Sequence, residues 1–240
     1  MGAQWKHAGR VDSAAKRGAL FGKLCKEIAV AAKMGDPNPE NNARLRAAVE
    51  AAKKNSVPRD TIERAIKKGA GLLDEQVNHE SVFYEGFAPH KVPVIVECLT
   101  DNKNRTAADV RVLFRKGQLS SMGSIMWMFD RLGVAEATHT DKSLDIEGVA
   151  IEAGAQNVEP LEGADVPAGQ IGARFICDPS DLDTMSRFLT KSGWTVTSSE
   201  LSYIAKNFSD LSKEQSQEVA EFLNAIDEHD DVHRVYAAIR

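Results

Sequence analysis

A chain of 240 residues is too long for one small domain. With 42% hydrophobic and 27% charged residues it has enough apolar surface for folded cores, which excludes disorder throughout. Its net charge of −5 conceals an asymmetry: residues 1–70 carry 15 Lys and Arg against 7 Asp and Glu, a balance of +8, while residues 71–240 carry 15 against 28, a balance of −13. A basic head on an acidic body points to a polyanionic partner; a Lys-rich but merely solvated helical surface is the competing explanation.

The first predicted element is a helix over 13–34. Leu20, Phe21, Leu24, Cys25, Ile28 and Ala32 recur at spacings of three and four and fall on one side. Lys16, Lys23, Lys26 and Lys33 fall on the other, where Lys16, Lys23 and Lys26 are expected to be free to meet phosphate. Gly35-Asp36-Pro37-Asn38-Pro39 ends this helix. A second helix is predicted over 40–54 with Leu45, Ala48, Val49 and Ala52 inward, and a third over 59–68 with Ile62, Ala65 and Ile66 inward, stopped by Gly69 and Gly71.

After Leu72 the pattern changes to β-branched and aromatic runs. Strands are predicted at 82–84 and 92–99 around a loop at 85–91. A helix over 105–116 follows, with Asn104 as its N-cap and Val110, Leu113 and Phe114 inward. Strands are predicted at 124–129 and 133–137. Residues 134–205 read as β-α-β-β-α-β, the order of a ferredoxin-like unit, with helices at 141–153 and 180–192 and strands near 158–161, 170–177 and 195–204. A helix over 213–228 and a strand at 232–236 close the chain.

No apolar run approaches the roughly 18–20 residues of a membrane span, so no membrane association is expected. The first residues, Met1-Gly2-Ala3-Gln4-Trp5-Lys6-His7, lack the apolar stretch of a secretory signal. Cys25, Cys98 and Cys177 are dispersed and odd in number, which argues against a disulfide framework and against paired-cysteine zinc. The expectation is a reduced, cytoplasmic protein.

Several long stretches are similar to a known family. Ala15–Gly71, Tyr84-Glu85-Gly86-Phe87, Glu97–Thr106, Gly123-Ser124 and Asp230-Asp231-Val232 through Val235-Tyr236 together resemble the YebC/PmpR-type bacterial proteins, whose mitochondrial relatives are translational activators. The resemblance is collinear over nearly the whole chain. It implies an α+β multidomain fold: a basic helical domain (1–75), an α+β domain (76–132 with 207–240) and a ferredoxin-like domain inserted into it (133–206). It also implies a non-enzymatic nucleic-acid-binding regulator. Binding of DNA in transcription is the first reading. A ribosome-associated translation factor gripping ribosomal or transfer RNA is the second. The chain departs from the family pattern at Ala88-Pro89-His90-Lys91 and at Gly117–Met122, where more glycine is expected.

The candidate nucleic-acid-binding residues are the cations of the head: Lys6, Arg10, Lys16, Arg17, Lys23, Lys26, Arg44, Arg46, Lys53, Lys54, Arg64, Lys67 and Lys68. Lysine and arginine hold phosphates and supply affinity without reading sequence. Trp5, beside Lys6 and His7, suits either stacking on a base or anchoring the tail. Asn102-Lys103-Asn104-Arg105-Thr106 could receive a phosphate at a helix start, but capping is the favoured reading. His229 and His233 lie four apart with no third ligand nearby, so no metal is expected. No nucleophile, P-loop or dinucleotide motif is present, and no catalytic residue or cofactor is expected.

Overall fold

A computed structural model describes residues 14–73, 79–161 and 166–239. The chain divides into two compact units, Met1–Asp130 with Tyr203–Arg240, and Arg131–Ser202. The first unit opens with three helices, α1 (Ala14–Met34), α2 (Ala43–Lys54) and α3 (Arg59–Gly69). Ile28, Ala31 and Ala32 of α1 pack against Leu45, Ala48, Val49 and Ala52 of α2 and Ile62 and Ala65 of α3, forming an apolar cluster of their own. Small residues let these helices approach closely. A Cβ at Gly69 would lie 2.2 Å from the Ala29 carbonyl oxygen, so the end of α3 can cross α1 only as glycine. Gly71, at φ +72°, supplies the left-handed turn after α3. Asn42 caps α2 by accepting from the backbone N–H of Leu45 at 3.0 Å.

The rest of the first unit is a four-stranded sheet, order β3-β1-β2-β8, formed by β1 (Glu80–Ala88), β2 (Val92–Thr100), β3 (Gln118–Leu119) and β8 (Val232–Ala237). Helices α4 (Lys103–Leu113) and α7 (Lys213–Asp227) cover one face. Val110, Phe114, Val219, Phe222, Leu223 and Ile226 meet Val94, Val96 and Cys98 there. On the other face Ile95 and Tyr236 join Ile125, Phe129 and Ala205, with Phe83 and Tyr203 edge-to-face at 5.9 Å.

The second unit carries most of β4 (Phe129–His139) and β7 (Thr195–Ala205), with α5 (Ile146–Glu152), β5 (Asn157–Leu161), β6 (Ile171–Cys177) and α6 (Leu182–Lys191). Its antiparallel sheet runs β5-β6-β4-β7. Numbered within the unit that order is 2-3-1-4, the ferredoxin-like arrangement. Arg174 on β6 faces Glu136 of β4 and Glu159 of β5 in register, and its guanidinium reaches them at 2.9 and 3.4 Å. No helix among the described residues is long and apolar enough to cross a membrane.

Four expectations need correction. The helix expected over 141–153 is shorter: α5 runs only from Ile146 to Glu152, after a turn in which Asp141 accepts from the Ser143 N–H at 2.9 Å. The loop expected at 85–91 shrinks to a turn at 89–91, because β1 continues through Glu85, Gly86 and Phe87 in register with β2. No strand occupies 124–128: these residues form a bend and a single 3-10 turn, and β4 begins at Phe129. Helix α4 starts two residues early, with Asn102 rather than Asn104 as its N-cap, accepting from the Arg105 N–H at 3.1 Å.

Candidate nucleic-acid interface

The head's cations divide by what their own fold does with them. Lys6 and Arg10 lie outside the described residues, as does the side chain of Lys16. Arg17 on α1, Lys54 at the end of α2 and Lys67 near the end of α3 are exposed and make no ion pair among the described residues. Lys53 is exposed and pairs with Glu50 one turn away at 2.8 Å. Arg64 is exposed and Lys68 half-buried. Arg46 braces the turn before α2, donating to the carbonyls of Pro39 and Glu40 at 3.4 and 3.3 Å.

Lys23 and Lys26 do not face open solvent, as the rotation of α1 had suggested. Lys23 Nζ donates to the carbonyl of Asp227, the last residue of α7. Lys26 Nζ donates to the Asp230 carbonyl at 2.9 Å and lies 3.3 Å from Asp231 Oδ1. The physical reason is the end of α7, whose last carbonyls have no partner within the helix and attract cations. Helical periodicity shows which side of α1 is polar; it cannot show that residues 227–231 lie against that side.

Arg44 is also committed. Its Nε and Nη2 donate to the two carboxylate oxygens of Glu27 at 2.8 and 3.2 Å. Glu27 is only 5% exposed, and His233 Nε2 of β8 lies 3.1 Å from its Oε2. Burial alone would raise the Glu27 pKa; the His233 contact and the Arg44 fork outweigh it and hold the group well below the usual carboxylate range.

Asp231, 5% exposed, collects contacts from three directions. Besides Lys26, it receives Arg105 Nη2 at 3.0 Å and Thr106 Oγ1 at 2.9 Å. Burial raises its pKa, but these hydrogen bonds and the Lys26 charge bring it below the ordinary value. The run Asn102–Thr106 therefore caps α4 and holds Asp231. His229 Nε2 lies 3.4 Å from Asp109, and among the described residues no three His, Cys, Asp or Glu are grouped to hold a metal.

Two features were not singled out from the sequence. Glu85, 1% exposed, accepts the backbone N–H groups of Gly123, Ile125 and Met126 at 2.5, 2.7 and 2.8 Å. It fixes a loop that leaves Met122 and Trp127 exposed by 79% and 64%. An acidic residue between β-type residues in a matched Tyr-Glu-Gly-Phe run was the available signal. Arg111, Arg115 and Lys116, on α4 and the turn after it, are exposed and without ion pairs among the described residues. The domain's overall acidity hid them.

A basic three-helix segment leading a split α+β unit, with a βαββαβ unit set into it, defines a multidomain α+β protein. The family model of the TACO1/YebC N-terminal domain matches residues 3–72, and that of the TACO1/YebC second and third domain matches residues 79–239. A probable transcriptional regulatory protein of Bdellovibrio bacteriovorus is 52% identical over 241 residues, covering 100% of both chains. One from Pseudomonas syringae pv. tomato is 53% identical over 241 residues, 100% of this chain and 99% of its own. The crystal structure of a conserved hypothetical protein of Aquifex aeolicus superposes with a TM-score of 0.83 at 39% identity, over 99% of this chain and 96% of that one. The chain belongs to the TACO1/YebC family.

Proposed function

We propose that the protein is a non-enzymatic, cytoplasmic regulator of transcription that binds DNA through its helical segment. One observation carries the reading: the +8 balance of residues 1–70 against −13 elsewhere, with Arg17, Lys54 and Lys67 exposed and unpaired among the described residues. Lys53, Arg64 and Lys68 lie on the same helices, and Lys6, Arg10 and Lys16 belong to the same basic stretch. The names of the relatives, probable transcriptional regulatory proteins, support regulation of transcription.

A second reading, a translation factor gripping ribosomal or transfer RNA, is favoured by the make-up of α2 and α3. Neither helix contains an Asn or Gln that could read an adenine edge, and three of their four arginines, the type that reads guanine, are engaged: Arg44 with Glu27, Arg46 with the Pro39 and Glu40 carbonyls, and Arg59 with Glu63. Recognition through phosphates suits a shaped RNA as well as a duplex. Crosslinking in cells followed by sequencing of the bound nucleic acid separates the readings. Recovery of promoter DNA supports the first, recovery of ribosomal or transfer RNA supports the second, and recovery of neither contradicts both.

A further inference from the structure

Charged side chains of the helical segment meet the end of α7 and β8. Its apolar cluster runs from Ile28 to Ala65 and contains no residue of the sheet or of α7. Among the contacts that cross are those of Lys23 and Lys26 with the turn Asp227-Glu228-His229-Asp230-Asp231, and that of the buried Glu27, which the half-exposed Arg44 also holds, with His233; Val30, 2% exposed, shares this face of α1. The ionic part of a seam differs from an apolar part in what separation costs. Opening an apolar seam exposes hydrocarbon to water, whereas opening an ionic seam returns charged groups to water and recovers their desolvation penalty.

The atoms that meet Lys23 and Lys26 are two backbone carbonyls and one carboxylate oxygen, acceptors for the same N–H groups that would donate to a phosphate. We propose that the Asp227–Asp231 turn is an intramolecular competitor for nucleic acid: it occupies the Lys23–Lys26 face of α1, so that docking of the helical segment on this turn and binding of a phosphate backbone by these two lysines exclude one another. This rests on the nucleic-acid reading above and adds its regulation. Docked, the protein binds through its outer cations alone. Undocked, it gains two more, and its apparent affinity is set by the fraction undocked.

The test uses the full chain and a 20-base-pair DNA duplex. Hydrogen exchange is followed in peptides covering residues 20–34 and 225–237, with and without saturating duplex. The expected result is slower exchange in 20–34 and faster exchange in 225–237, as the turn loses its lysines. Saturation with 225–237 unchanged or protected overturns the competitor while leaving nucleic-acid binding intact. In parallel, Asp231→Asn removes the charge facing Lys26 and keeps an acceptor for Thr106. It is expected to bind the duplex about threefold or more tightly, and the gain should vanish when Lys23 and Lys26 are both alanine. Equal or weaker binding by a folded Asp231→Asn protein, or a gain that survives loss of both lysines, overturns the proposal. Should that variant not fold, the exchange measurement on the unaltered chain decides. If the duplex binds neither protein at any salt concentration, the DNA-binding reading falls and the competitor for a duplex with it.

Discussion

Helix α1 has two working faces built from opposite chemistry. Ile28, Ala31 and Ala32 enter an apolar cluster with residues no farther along the chain than Ala65. Lys23, Lys26 and Glu27 meet groups some two hundred residues away, at Asp227, Asp230, Asp231 and His233. The first face is held by burial, which salt does not screen. The second is held by charges, part of which lie at the surface and are screened over about 10 Å at 0.1 M salt. The two faces should therefore fail differently.

The largest effect is expected on the ionic face. Glu27→Ala leaves Arg44 and His233 facing a buried site without their anion. It should lower stability by up to about 3–5 kcal/mol in denaturant titrations, the cost of breaking a buried pair from one side, less what Arg44, 38% exposed, regains from water. Leu45→Ala, on α2 and fully buried in the cluster that the apolar face of α1 joins, should lower stability by about 2–5 kcal/mol, because it leaves a cavity. If Glu27→Ala costs less than about 1 kcal/mol, the seam is not a structural contact.

Acid should act on the ionic face first. Glu27 and Asp231 both sit below the ordinary carboxylate range in the folded chain, held there against burial by His233, Arg44, Arg105 and Lys26. A depressed carboxylate adds stability that is complete above its unfolded value, near 4, and is lost as pH falls through the folded value. Stability measured from pH 6 downward should hold until about pH 4 and then fall, and Glu27→Gln should flatten that fall. An unchanged acid limb in Glu27→Gln would remove Glu27 from the account. The smallest effect belongs to a surface pair: Lys53→Ala breaks the contact with Glu50, both side chains being more than half exposed, and should change stability by less than about 0.5 kcal/mol.

Much of this fold was legible in the sequence, because its elements announce themselves locally. Helix α3 was read from Ile62, Ala65 and Ile66 between Pro58 and two glycines. The βαββαβ order of the second unit was read from alternating strand and helix patterns. The errors arose where long-range contacts decide. Asn104 and Asn102 are equally good caps by composition, and the position of Thr106 against Asp231 goes with the earlier start. Residues 124–128 resemble a strand, yet Glu85 draws their N–H groups into a turn. On the candidate interface, residue type identified the cations, but only the fold separated Arg17, Lys54 and Lys67 from Lys23, Lys26 and Arg44, which it uses internally.

The central claim, that the outer cations of the helical segment bind a nucleic-acid backbone, is tested most directly by salt titration. The full chain and a variant with Arg17, Lys54 and Lys67 all replaced by alanine are titrated with a DNA duplex across a range of salt concentrations. Thermal melts of both proteins verify that these exposed substitutions leave the fold intact. Each lost phosphate contact should flatten the log–log dependence of affinity on salt by about 0.9, so the variant's slope should be shallower by about 2.7 if all three residues touch phosphate. An unchanged slope and affinity in a folded variant would contradict the account.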